Sequence, residues 1–137
     1  MNSFKTDLIV VPLADGKRWR LHEGFTYRGK LDGDIIMVRV PMGFVTDFAS
    51  VPKVFQNIIP AWGKYGKASV VHDYLYKDLN AHSVFDRKAA DRIFLQAMLV
   101  SGTKPWKAKV MYWAVRLFGS FAWKEQTAGI PIPWERE

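Results

Sequence analysis

Apolar residues fall into short, alternating runs over the first forty positions and recur at helical spacing from about residue 67 onward. Leu8-Ile9-Val10-Val11-Pro12 reads as a first strand, followed by a turn signal at Asp15-Gly16. Arg18-Trp19-Arg20-Leu21 alternates polar and apolar side chains, with Phe25-Thr26-Tyr27-Arg28 as its expected hairpin partner. A second turn, Lys30-Leu31-Asp32-Gly33-Asp34, leads into Ile35-Ile36-Met37-Val38-Arg39-Val40, the clearest strand of the chain, which Pro41 and Gly43 end. These runs predict a small antiparallel sheet.

Between residues 42 and 66 the pattern becomes irregular, punctuated by Pro52, Pro60, Gly63 and Gly66. It predicts a long ordered loop with a helical turn near Lys53 to Asn57, and loops of this length in compact domains are usually functional. A helix is expected from Lys67 to about Asp78. A second is capped by Ser83 or Asp86, repeats Ala89, Ala90, Ile93, Phe94, Ala97 and Met98 at helical spacing, and ends at Ser101-Gly102. A third starts at Pro105, the position proline tolerates best. Its stripe of Trp106, Val110, Trp113, Ala114, Leu117 and Phe121 is expected to pack against the sheet. Lys104, Lys107, Lys109, Arg116 and Lys124 lie close to Trp106, Trp113 and Trp123, so an anionic interface is the other reading of that helix. The tail Ala128-Gly129-Ile130-Pro131-Ile132-Pro133-Trp134 must be extended. The expectation is one α+β domain over residues 1–137: β-rich to 41, loop over 42–66, helical over 67–124 and an extended tail over 125–137.

Composition narrows the classes. At 137 residues, with 49% hydrophobic and 24% charged positions, the chain can bury an ordinary core. It has no cysteine, which excludes disulfides and thiolate metal sites. The first residues, Met1 to Asp7, lack the basic-then-apolar order of a secretory signal. No apolar stretch approaches the ~18–20 residues that span a bilayer. Synthesis in a host cytoplasm is therefore expected, with any role at the cell envelope or in a virion depending on another delivery route. The net charge of +7 favours polyanionic partners. No groove-reading motif accompanies it, so nucleic acid is not the expected partner.

The candidate chemistry centres on His72-Asp73, set in the apolar and aromatic run Val70-Val71-His72-Asp73-Tyr74-Leu75-Tyr76. A carboxylate near a core is costly unless a cation or hydrogen bonds compensate it. An imidazole is the side chain most easily tuned to accept a proton near neutral pH. Asp91, on the next helix, lies beside Phe94 and Met98 at the edge of the buried stripe, from which it can reach His72 and fix its tautomer. Asp73 points about 100° away from His72 and is free for another partner, such as a cation. Asp47, the one acid in Gly43-Phe44-Val45-Thr46-Asp47-Phe48-Ala49-Ser50-Val51-Pro52, could join it, since carboxylates and backbone carbonyls suit calcium. Two plainer readings stand beside these: His72 as a hydrogen-bonded core residue, and Asp47 or Thr46 as a turn or helix cap. His22 and His82 are expected to face solvent.

His72-Asp73-Tyr74-Leu75-Tyr76 followed by Ala90-Asp91-Arg92-Ile93-Phe94 resembles the helix pair of the secreted phospholipase A2 superfamily, above all its short prokaryotic members. That resemblance implies His72 as general base, Asp91 as its orienting partner, Asp73 as a calcium ligand, Tyr76 as a hydrogen-bonding support and Asp47 as the loop ligand. Asp86, in Asp86-Arg87-Lys88-Ala89-Ala90, competes with Asp91 for the orienting role. The disulfides and glycine-rich calcium loop of the animal enzymes are absent. The motifs from Pro41 to Pro52, His72 to Tyr76, Ala90 to Phe94 and Tyr112-Trp113-Ala114-Val115-Arg116 also resemble, over nearly the whole chain, a family of small uncharacterised phage and prophage proteins. The resulting expectation is a phage-encoded, calcium-assisted phospholipase A2-like hydrolase acting at a phospholipid membrane surface. The alternative is a non-enzymatic phage structural or assembly protein, partnered by virion components, whose His-Asp-Asp cluster is a buried polar network.

Overall fold

The structure, a computed structural model, describes residues 3–4, 8–16, 18–46, 66–82, 84–120 and 123. It is an α+β arrangement in which antiparallel strands precede the helices. The strands are β1 (Ser3–Phe4), β2 (Val10–Pro12), β3 (Trp19–Leu21), β4 (Phe25–Leu31), β5 (Asp34–Val40) and β6 (Val45–Thr46). The helices are α1 (Gly66–Lys77), the single turn α2 (Leu79–His82), α3 (Arg87–Val100) and α4 (Pro105–Phe118). The expected helical turn near Lys53 to Asn57, the candidate cap Ser83, the candidate ligand Asp47, Lys124 and the tail over 125–137 lie outside the described residues.

Among the described residues the strands form two three-stranded sheets, ordered β1-β4-β5 and β2-β3-β6, rather than one. The expected hairpin of Arg18–Leu21 with Phe25–Arg28 does not form. β4 pairs instead with β5, from Phe25 opposite Val40 to Leu31 opposite Asp34. The turn chemistry explains this: Asp32 and Gly33 both adopt positive φ, at 52° and 89°, the geometry of a two-residue hairpin that matches strand twist. β3 pairs with β2 on one side and with β6 on the other, so the predicted loop contains a short strand at Val45–Thr46.

α3 organises the packing. Asp86 caps it by accepting a hydrogen bond from the Ala89 amide at 2.8 Å, and Ser101 closes it. One face, Ala90, Asp91, Ile93, Phe94, Ala97 and Met98, is buried against α1 and α4. On the exposed side, Arg92 holds Asp32 through two hydrogen bonds of 3.1 and 3.0 Å, tying the helix to the β4–β5 turn. Gln96 reaches the Lys30 carbonyl and accepts from the Tyr27 hydroxyl at 3.1 Å.

α4 starts at Pro105 as expected, but of its predicted stripe only Ala114 is buried, and Phe121 lies outside the described residues. Ala108, Met111, Ala114 and Val115 are buried, whereas Trp106, Val110, Trp113 and Leu117 are exposed. Helical periodicity identifies a face without giving its direction. Here the small side chains permit close approach to α3, and the bulky stripe is left outside.

Candidate active site

α1 and α3 run antiparallel, with His72 stacked on Phe94 at 4.5 Å and Tyr76 opposite Asp91. On α1, His72 and Tyr76 share one face at i,i+4, and Asp73 and Lys77 share the neighbouring one. On α3, Arg87 and Asp91 stand in the same relation. This spacing gathers four ionisable groups, His72, Tyr76, Lys77 and Arg87, around two buried carboxylates.

Asp91 is the hub. Its Oδ1 lies 2.7 Å from His72 Nε2 and accepts from the Tyr76 hydroxyl at 2.6 Å. Its Oδ2 accepts from Arg116 Nη1 at 2.8 Å, with Arg87 Nη1 at 3.6 Å. Arg87 is itself anchored to α4 through the carbonyls of Val115 and Arg116 at 3.0 and 3.2 Å. Burial pushes the Asp91 pKa upward, but the hydrogen bonds and charge of His72, with bonds from Tyr76 and Arg116, outweigh it and hold the carboxyl below its ordinary value. An ionised carboxylate only accepts, so Nε2 is the ring nitrogen that donates in this pair. Burial and the adjacent Asp91 charge push the Tyr76 hydroxyl well above its ordinary range, so it stays a donor.

Gly119 keeps this contact open. A Cβ there would lie 2.6 Å from the Tyr76 hydroxyl and collide with the Val115 carbonyl. Asp73, the second carboxylate, accepts from Thr46 Oγ1 at 2.7 Å and pairs with Lys77 Nζ at 3.0 Å, both through Oδ2. Its Oδ1 is buried without a hydrogen-bond partner among the described residues.

His72 and Asp91 thus come together as their spacing and the resemblance suggest, and Tyr76 joins them as the resemblance alone implies. Asp86 does not compete for the orienting role, since it is exposed and caps α3. His82 differs from expectation: it is half-buried, stacks on Trp123 at 3.7 Å and bonds the Tyr76 carbonyl at 2.9 Å. Arg116, Arg87, Thr46 and Lys77 are further members of this centre that the motifs do not mark. For Lys77 and Arg87 the i,i+4 spacing to an acid is a usable signal, whereas Thr46 and Arg116 arrive from distant parts of the chain.

Asp73 suits a hard cation in one respect, the unpartnered Oδ1. Calcium takes about six to eight oxygens, and among the described residues no group of three acidic or imidazole side chains could hold a metal. Lys77 already supplies positive charge to the other oxygen. His72, Asp73 and Asp91 are all fully buried. A surface cleft of about 550 Å³ lies elsewhere, with Asp32, His82, Val84 and Arg92 in its lining.

Two curated relatives, both from Sinorhizobium fredii (strain NBRC 101917 / NGR234), resemble the chain. Uncharacterized protein y4jT is 44% identical over 58% of this chain and 23% of its own length. Uncharacterized protein y4iH is 37% identical over 54% of this chain and 30% of its own length. The chain therefore spans less than a third of either relative. No solved structure matches it. A family model described as "Protein of unknown function (DUF1353)" matches residues 19–115, well over half of the chain, with β3, α1, α3 and the His72–Asp91 pair inside the match. The chain belongs to this family.

Proposed function

We propose that the chain is a phage-encoded phospholipase A2-like hydrolase in which His72 is the general base and Asp91 its orienting acid. The observation carrying this reading is the hydrogen-bond set on Asp91. His72 Nε2 and the Tyr76 hydroxyl share one oxygen while Arg116 holds the other. With Nε2 donating to Asp91, this reading makes Nδ1 the proton acceptor, the arrangement a base-and-orienter pair requires. A centre with two buried carboxylates is also costly to keep for packing alone, since apolar replacements of buried ion pairs are often neutral or stabilising.

In the proposed reaction, Nδ1 takes a proton from water and the resulting hydroxide attacks the ester carbonyl carbon. The tetrahedral intermediate expels the lysophospholipid alkoxide, which recovers the proton from His72, leaving a free fatty acid. Asp91 stabilises the transient imidazolium, and Arg116 and Tyr76 keep Asp91 in place. Calcium held at Asp73, with Asp47 as a further ligand, would supply polarisation of the ester carbonyl. The reaction requires the Nδ1 face of the ring to open to a lipid ester. The protein would act at the bacterial envelope, released from the host cytoplasm or carried with the virion.

A second reading, a non-enzymatic phage assembly protein, is favoured by one observation: His72 is 0% exposed. Product analysis separates the two. The purified protein is incubated with phosphatidylglycerol vesicles, with calcium and with chelator, and the lipids are resolved by mass. Equal amounts of lysophospholipid and free fatty acid support the hydrolase. Intact lipid under all conditions, with a stable fold, supports the assembly protein.

A further inference from the structure

The outward face of α4 plays no part in the centre described above. At about 100° per residue, Trp106, Val110, Trp113 and Leu117 fall within about 60° of one another. They are 61%, 44%, 59% and 67% exposed, with Phe118 at 60%. A continuous bulky apolar row on a helix packed through its other face is an unusual surface feature. Its borders are cationic. Lys107 and Lys109 flank the row on opposite sides, Lys107 Nζ lies 5.6 Å from the centre of the Trp106 ring, and Lys104 precedes the helix. No acidic residue occurs anywhere in α4.

We propose that this face docks the protein onto an anionic lipid bilayer, with α4 lying in the plane of the interface. Tryptophan favours the headgroup region, and lysines beside an apolar row draw anionic headgroups. The helix is too short to cross: its 14 residues span about 21 Å against a hydrocarbon core of about 30 Å. A second copy of the same helix is the poorer occupant, because apposed α4 helices would bring only lysines and arginine together, with no acid to pair them. The buried edge of α4 carries Arg116 to Asp91 at 2.8 Å, so the docked helix is also one that holds the hub of the centre. The surface extends the phospholipid reading by naming how the protein meets its substrate, but it stands on α4 alone and its binding does not need hydrolysis.

Flotation of the full chain with phosphatidylglycerol-containing vesicles, and with phosphatidylcholine vesicles as control, tests it. Binding is expected only to the anionic vesicles and is expected to weaken with added salt. Each lysine near an anionic surface contributes about 1 kcal/mol. Lys107→Gln with Lys109→Gln should therefore weaken binding about 30-fold, since 1.4 kcal/mol is about tenfold. Trp106→Ser with Trp113→Ser should abolish flotation. Both pairs change exposed or rim side chains, so circular dichroism and melting should match the wild type. Flotation equal to wild type for both double variants, or no flotation of the wild type, would overturn the proposal. So would a wild-type dimer in sedimentation that the tryptophan variants convert to monomer without any vesicle binding, which makes a second copy the occupant. Flotation without fatty-acid release leaves the surface standing and removes the hydrolase. Release from a dispersed short-chain phospholipid without flotation does the reverse.

Discussion

Replacing Asp91 by asparagine removes one charge from the middle of the network without changing its shape. With an aspartate, both oxygens accept: one from His72 and Tyr76, the other from Arg116. An asparagine can satisfy only one side as an acceptor. If its oxygen faces His72 and Tyr76, its amide opposes the Arg116 guanidinium. If its oxygen faces Arg116, its amide meets Nε2, which can then accept from it only by giving up its own proton. Removing one partner of a buried ion pair costs about 3–5 kcal/mol. Arg116 and Arg87 keep 22% side-chain exposure, so water recovers part of this, and the retained acceptor recovers more. The expected loss is about 2–4 kcal/mol, or about 6–16 °C in melting temperature for a domain of this size. Denaturant unfolding gives the first number, and nitrogen-15 shifts of the His72 ring give the proton's position. The pH dependence has a definite sign. The folded Asp91 pKa lies below its ordinary 3.8, so its contribution is present above that pH and is lost as pH falls through the folded value. Asp91→Asn should flatten this acid limb. A variant within about 0.5 kcal/mol of wild type, with Nε2 still protonated and the acid limb unchanged, would refute Asp91 as the charged hub.

Gly119→Ala should destabilise the fold by about 1–3 kcal/mol, because the new methyl lies 2.6 Å from the Tyr76 hydroxyl. Denaturant unfolding should show part of that loss recovered when Tyr76→Phe is added. At alkaline pH, burial raises the Tyr27 pKa to about 12 from 10.0, and the Tyr76 shift has the same direction. Stability should thus be full below pH 10 and fall as pH rises toward about 12, with a shallower fall in Tyr27→Phe. Lys77→Met removes the cation beside Asp73 Oδ2. Calorimetric calcium titration should then show tighter binding by about tenfold or more, and unchanged binding would mean that Lys77 does not compete with calcium at Asp73.

Much of this architecture is legible from local chemistry. Asp32-Gly33 specifies the β4–β5 turn, Asp86 and Ser101-Gly102 bound α3, and Pro105 opens α4. The meeting of His72 with Asp91 follows from two short antiparallel helices and a carboxylate at the edge of a buried stripe. The three-residue strands carry too little periodicity to reveal their partners, so the pairing of β3 with β2 and β6 is not legible in the sequence. The direction of the α4 stripe was illegible for a different reason. Beyond Ala114, its buried face relies on Ala108, Met111 and Val115, where Ala108 contributes close packing rather than hydrophobic weight. Arg116 has no local pattern linking it to Asp91, because that contact exists only after α4 docks on α3.

The most direct measurement counts fatty acids released per protein molecule from anionic vesicles by the wild type and by His72→Asn. The variant is first matched to wild type by circular dichroism. A base at His72 predicts many turnovers for the wild type and none above background for His72→Asn. Equal release by both, or none by a folded wild type at any calcium concentration, would contradict it.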